Sequence, residues 1–422
     1  MDTLISLQIG IDWADQKHDF CLCPVAQNSS IGPIEQSRES GVIASAAQHV
    51  HQWIGQLRKR FPSGDFEVCL ELSKGQLINA LRQYDFIRIY PLNPISADSF
   101  RQSLYPSLRK DDATDAALLL EILQKHRERL RQQSIAPASA RLLEGLVQAR
   151  RKSVNQRTAL IQQLTHTLKE YYPQALEMIG EPSEPMSRAF LRKWPCWQEL
   201  SKAREQTLRT FYYSHRSRSE PLIQARLEVK KTSCALTEDS AVIELAMMQT
   251  LALVNQLEVL SKIILNYDRK VKQLYDAHEK KALIDSLPGA GSKLGPRLLC
   301  AMESQALQCR NAAELASYSG IAPIRQSSGK RSRISKRYRR PKFLHQSFIE
   351  WAKCSILYST WAKAYYEYRK KTLGQTYWSI IRSLAFKWIR ILYKCWENGT
   401  QYDETAYMET LIKRGSPYAQ KS

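Results

Sequence analysis

The chain has 422 residues, enough for two or three folding units with sizeable cores. Its 62 Lys and Arg against 41 Asp and Glu leave a formal net charge of +21 and a pI near 9.6, so the expected partner is acidic, and nucleic acid fits best. Met1-Asp2-Thr3 opens no basic, apolar leader, and Arg382, Lys387, Arg390 and Lys394 interrupt the apolar stretch Tyr377 to Trp396, so the expectation is a cytosolic protein and not a secreted or membrane-spanning one.

In chain order, residues 5–12 and 18–26 read as two antiparallel strands joined around Ala14-Asp15-Gln16-Lys17. A helix is predicted over 41–60, a third strand over 65–72, a fourth from Asp85 to Leu92 before Asn93-Pro94, and a helix over 111–131. Strands followed by alternating helix and strand predict a mixed sheet flanked by helices. From about 139 the pattern becomes long helix. Leu143, Val147, Val154, Ile161, Leu164, Leu168 and Tyr171 follow a heptad-like spacing, as do Leu253, Leu257, Leu260, Ile264, Tyr267, Val271 and Leu274, which predicts two coiled-coil arms. Gly180-Glu181-Pro182-Ser183-Glu184-Pro185 marks a break between the arms, and 186–240 reads as a small basic helical insert whose Trp194, Trp197, Phe211, Tyr212 and Tyr213 form a local core or, as the alternative, stack on bases. The domain organisation expected is 1–135, 136–280 with the insert near 186–240, 281–400, and a tail over 401–422. Nine cysteines lie scattered without zinc spacing and are expected to be buried small hydrophobes.

Four carboxylates carry the chemistry. Asp12 and Glu71 close short apolar strand-like runs, Leu7 to Asp12 and Val68 to Glu71, while Asp112 and Asp115 lie three apart at a helix start and share one face. Acids amid apolar neighbours are costly unless cations or hydrogen bonds compensate. As a set they can hold hard divalent cations, Mg2+ or Mn2+, in the two-ion logic of phosphodiester cleavage. Further on, Leu287-Pro288-Gly289-Ala290-Gly291-Ser292 is either a phosphate-approaching turn of helix-hairpin-helix type or a plain interhelical turn. Ser328, in Ser327-Ser328-Gly329-Lys330, is either an exposed nucleophile on a loop bracketed by cations or an ordinary turn residue. Lys330 to Lys342 holds eight basic residues and no acid: Lys330, Arg331, Arg333, Lys336, Arg337, Arg339, Arg340 and Lys342. Such a run is expected to position nucleic-acid phosphates without reading sequence. The recurrent aromatic and aliphatic residues from Phe348 to Leu392 read as core and interface residues and not as a cofactor box. No Walker-type loop is present, so no nucleotide hydrolysis is expected.

With these motifs in order, the chain resembles transposases of the insertion-sequence one-ten family, the DEDD-carboxylate group that includes Piv-type DNA invertases, and its longer branch in particular. Supporting motifs extend along the chain: Ile9-Gly10-Ile11-Asp12, Glu71, Lys110 to Ala116, Leu287 to Gly291, Ser319-Gly320-Ile321-Ala322-Pro323, Ser328-Gly329-Lys330, Pro341-Lys342-Phe343-Leu344 and Leu384 to Arg390. The resemblance implies an α/β N-terminal domain of RuvC-like, RNase H type, a long helical coiled-coil region and a mainly helical C-terminal transposase domain. It gives Asp12, Glu71, Asp112 and Asp115 the metal-binding roles and Ser328 that of nucleophile. It also implies DNA as substrate, a structured noncoding RNA as guide, a homo-oligomer, dimer or tetramer, with shared sites, and work in the bacterial cytoplasm at the nucleoid. Leu72-Ser73-Lys74-Gly75 departs from the family pattern by placing a lysine beside the metals, and Ser327 adjoins Ser328.

Three functions follow as expectations. A recombinase would cut and rejoin DNA through a phosphoserine link. A Holliday-junction-type nuclease would use water instead, and a non-catalytic scaffold would only bind DNA or RNA.

Overall fold

The structure, a computed structural model, describes residues 4–25, 38–71, 75–104, 112–133, 137–305, 309–328, 331–335, 337–338 and 340–419. Two compact units divide the chain, Met1–Ala136 and Pro137–Ser422.

The first unit is a five-stranded mixed sheet with helices on both faces. Its strands are β1 (Ile5–Trp13), β2 (Lys17–Pro24), β3 (Glu39–Ala44), β4 (Asp65–Leu70) and β5 (Ile87–Pro91), in the order β3-β2-β1-β4-β5. β1 runs antiparallel to β2 and parallel to β4, which runs parallel to β5. Strands covered on both faces read as nearly continuous apolar runs, and the sheet faces then separate by the period of two. Leu7, Ile9, Ile11, Val68 and Leu70 pack on one side with α1 (Ala47–Arg60) and α2 (Gln76–Leu81). On the other side Cys69 and Tyr90 meet Leu118, Leu119, Ile122 and Leu123 of α4 (Asp112–His126), with α3 (Pro94–Leu104) beside it, and Cys21 and Cys23 meet Ala116 and Leu120.

Gly10 fixes where that helix crosses the sheet. A Cβ there would lie 2.1 Å from the Ala116 carbonyl oxygen and 2.4 Å from the Leu120 nitrogen, so only a glycine lets the two backbones approach this closely.

Three local predictions change. Residues 41–44, read as the start of the 41–60 helix, belong to the strand Glu39–Ala44: it pairs with β2 in the register Phe20↔Gly41 and His18↔Ile43, and the helix begins only at Ala47. The helix predicted to 131 ends at His126 and passes into a 3-10 turn, Arg127–Arg129. Ser328 ends a strand instead of lying in an open loop, as β6 (Ile324–Ser328) pairs antiparallel with β7 (Arg331–Ser335).

The second unit is organised by two long helices, α5 (Ala138–Tyr171) and α11 (Ser240–Asp276). Arg150 meets Asp268 at 2.5 Å and the Tyr171 hydroxyl donates to Thr250 at 3.0 Å, so the helices run antiparallel. At the helical rise each spans about 50 Å. Near the connecting end, Leu164, Leu168, Val254 and Leu257 form a core with α6 (Gln174–Met178), α7 (Pro185–Lys193), α8 (Trp197–Lys202), α9 (Glu205–Ser214) and α10 (Glu220–Thr232). Trp194, Trp197, Phe211 and Tyr212 are buried in it, while Tyr213 stays exposed.

At the opposite end Leu143, Val147, Val271 and Tyr275 join the core of the C-terminal helices. These are α12 (Lys281–Asp285), α13 (Gly291–Cys300), α14 (Ala312–Tyr318), α15 (Lys342–Tyr358), α16 (Thr360–Lys371), α17 (Tyr377–Asn398) and α18 (Glu404–Lys413). Trp351, Trp361 and Trp388 lie at its centre, and each indole N–H finds an acceptor: Pro288 carbonyl at 3.0 Å, Tyr402 hydroxyl at 2.8 Å and Ser355 hydroxyl at 2.7 Å. α17 buries Ile380, Ile381, Leu384, Ala385, Trp388 and Ile389, as its amphipathic pattern predicts. α11 is long and apolar enough by composition to cross a membrane, yet one of its faces serves both cores. The nine cysteines are all free; seven are buried, Cys354 is half-buried and Cys234 is exposed.

Candidate functional site

The sheet's period of two carries the acids to one place. Gly10 faces α4, so Asp12, two residues on, faces the same way at the strand end. Cys69 also faces α4, and Glu71 follows by the same step. Since α4 crosses β1 at Ala116, its preceding turn brings Asp112 and Asp115 over the ends of these strands. Helix N-termini favour negative charge, which eases that placement.

The electrostatics register the crowding. Asp12 has its pKa pushed up to about 6 by burial, with further contributions from Asp115, Glu71, Asp112 and Asp19. Four predicted acids therefore share one field, and Asp19, opposite Asp12 across the β1/β2 pair, is a fifth. Sequence reading missed Asp19 because strand register is not local; a second acid on the partner strand at equal distance from the turn was the available signal.

Two cations answer part of this charge. Arg101 of α3 is largely buried; its Nε lies 2.8 Å from Asp115, one terminal nitrogen 3.7 Å from Glu71 and the other 2.8 Å from Asp98. Lys17 stands 3.1 Å from Asp19 and 3.7 Å from Asp112. Neither was singled out from the sequence. Among the described residues, two cations face these five acids.

As the side chains stand, no group of three or more acids, histidines or cysteines among the described residues could hold a metal ion. Arg101 Nε donates to one Asp115 carboxylate oxygen at 2.8 Å. The donor chemistry nonetheless suits a hard divalent cation: carboxylate oxygens, with no soft ligand among the five acids.

The other predicted residues lie in the second unit. Ser328 is the last residue of β6 and pairs with Arg331 across the hairpin, while Gly329 and Lys330 lie outside the described residues. Arg331 and Arg333 are on β7, and Lys342 opens α15. Arg337 donates to the Ala322 carbonyl at 3.3 Å and Arg340 donates to the Arg337 carbonyl, so both also brace the segment. Lys336 and Arg339 lie outside the described residues, as does Lys74.

A basic chain whose N-terminal mixed sheet gathers four acids, followed by a mostly helical region, belongs to the class of carboxylate-bearing enzymes that act on DNA. Residues 9–173 match the sequence family described as Transposase, the DEDD type of IS110, and residues 281–367 match that described as Transposase IS116/IS110/IS902 family. A Streptomyces coelicolor protein named "Mini-circle putative transposase for IS117" is 25% identical over 417 residues, covering 96% of this chain and 97% of its own. An uncharacterised 44.8 kDa protein of insertion element IS116 from Streptomyces clavuligerus is 27% identical over 145 residues, 33% of this chain and 35% of its own. An uncharacterised 42 kDa protein of IS900 from Mycobacterium paratuberculosis is 29% identical over 128 residues, 30% of this chain and 32% of its own. The chain belongs to the IS110 family of transposases. It is accordingly a DNA-binding enzyme of DNA cutting and rejoining, of a type dependent on a divalent metal, and its sheet order is consistent with an RNase H-like fold.

Proposed function

We propose that the chain is an RNA-guided DNA recombinase in which Ser328 is the nucleophile and Asp12, Glu71, Asp112 and Asp115 hold Mg2+ or Mn2+. The observation that carries this reading is the gathering of those acids over the strand ends, with Asp12 raised to about 6 by burial first and then by its acidic neighbours. A divalent ion there would supply charge stabilisation at the scissile phosphate.

Ser328 Oγ attacks phosphorus, the bond from phosphorus to the departing DNA oxygen breaks, and the serine proton leaves to a base or solvent. The phosphoserine diester conserves the bond energy. Attack by a DNA hydroxyl then reseals the strand and regenerates the serine. Lys330, Arg331, Arg333, Lys336, Arg337, Arg339, Arg340 and Lys342 hold the phosphates near the serine.

The organisation proposed is an acid-bearing domain over 1–135, a coiled-coil region over 136–280, a serine-bearing transposase domain over 281–400 and a tail over 401–422. A noncoding RNA selects the DNA. The protein works as a dimer or tetramer at the bacterial nucleoid, with serine and acids supplied by different copies. Exposed Val242, Leu245, Met248, Val259 and Ile263 along α11 support self-association.

The test incubates purified protein, Mg2+, RNA transcribed from beside its gene and labelled element-end DNA, followed by denaturing electrophoresis. A protein-DNA adduct is expected, and Ser328→Ala should abolish it. An adduct at normal yield in that variant overturns the assignment and turns attention to Ser327; free ends without any adduct indicate water as nucleophile.

A further inference from the structure

Where α5, α11 and α13 meet, four cations converge on two acids. Arg150 and Lys293 each lie 2.5 Å from Asp268. Arg151 lies 2.9 Å from Glu350, which also accepts from Arg297. One carboxylate for every two cations leaves this cluster positive. Its cleft is lined by Arg150, Arg151, Ser292, Lys293 and Arg297, with Asp268 the acid among its lining residues.

The most deeply buried cation of the four is Arg297. It is 5% exposed, and while Nε donates to Ser347 at 3.0 Å and one terminal nitrogen to Glu350, the other terminal nitrogen has no partner among the described residues. An unpaired buried guanidinium N–H is expensive, and an anionic oxygen would satisfy it.

The backbone points the same way. α13 begins at Gly291 and presents its first N–H groups and positive dipole end beside Ser292 and Lys293. Gly289, with φ of +77°, turns the chain directly before it, and Gly291 faces open space. Room inside the cleft is about 10 Å3, enough for one water-sized atom. A non-bridging phosphate oxygen is of that size, and the rest of the diester would remain at the mouth beside Lys293, which is 56% exposed.

We infer that this cleft at the α5/α11/α13 junction is a phosphate-binding subsite that seats one backbone phosphodiester of duplex DNA through residues other than Ser328 and its basic segment. It rests on the reading of the chain as a DNA-acting enzyme and extends it with a clamp on the second unit. Asp268 competes with the phosphate for Arg150 and Lys293, which gives the site a signature of opposite signs.

The test measures binding of the full chain to labelled element-end duplex by fluorescence anisotropy over a salt series, with thermal melting alongside. Lys293→Gln should weaken binding several-fold and reduce the slope of log affinity against log salt by about one. Asp268→Asn should tighten binding. A purely structural cluster predicts altered melting in both variants with the DNA slope unchanged, and that result overturns the inference. Equal loss for inorganic phosphate, with none for DNA, or loss confined to a single-stranded or structured RNA, also overturns it. Wild-type protein that binds no DNA would fail the functional reading itself, whereas Lys293→Gln indistinguishable from a DNA-binding wild type fails this inference alone.

Discussion

Asp12 is an acid whose folded-state pKa, about 6, stands above its ordinary value of 3.8, through burial first and then its acidic neighbours. Such a group favours the fold while protonated, fully below the unfolded pKa, and that contribution is lost as pH rises through about 6. In chelator, Asp12→Asn should therefore melt with wild type near pH 4 and a few degrees above it at pH 7.5; equal melting at both would refute the field described at the site. Arg101 is the counterpart. Arg101→Gln leaves Asp115 buried without its guanidinium, which should destabilise the metal-free protein by about 3 kcal/mol, the cost of breaking a buried pair. The same variant frees carboxylate oxygens, so titration calorimetry should show Mn2+ bound about tenfold more tightly. Unchanged or weaker Mn2+ binding would mean that Arg101 does not compete for the site.

Among elements, α4 does most to assemble the acids, and Gly10 sets its approach. Gly10→Ala should cost about 1–3 kcal/mol in denaturant unfolding and reduce DNA cleavage, since the added methyl drives α4 and its two aspartates off the sheet. Gly145→Ala, inside α5 with nothing within 4 Å of a Cβ, should instead stabilise by about 0.5–1 kcal/mol. β1, β4 and α4 were readable because an apolar run ending in an acid, or two acids opening an apolar helix, declare themselves locally. β3 was not, because an exposed edge strand has too little alternation to compete with the helical pattern following it. α3 was missed for its polar, weakly periodic sequence, and Arg101 with it. The Asp12–Asp19 opposition and the approach at Gly10 depend on pairing between segments, which no local pattern encodes.

For the molecule as a whole, the acids lie in one compact unit and Ser328 in the other. If different copies complete each other's sites, mixing Asp12→Asn protein with Ser328→Ala protein should restore adduct formation that neither gives alone. Failure of mixed preparations with subunit exchange verified would assign serine and acids to the same copy. The long helices α5 and α11 were legible because burial recurs along one face of each, and their antiparallel contact uses that face. The exposed side of α11 is the part for which a single copy offers no partner among the described residues.

Cys234 bears on that count. It is exposed while the other eight thiols are buried or half-buried, so a maleimide dye should attach at one position per chain, on the helical insert. Stepwise photobleaching of single assembled particles would then read the number of subunits directly, two steps for a pair and four for a quartet.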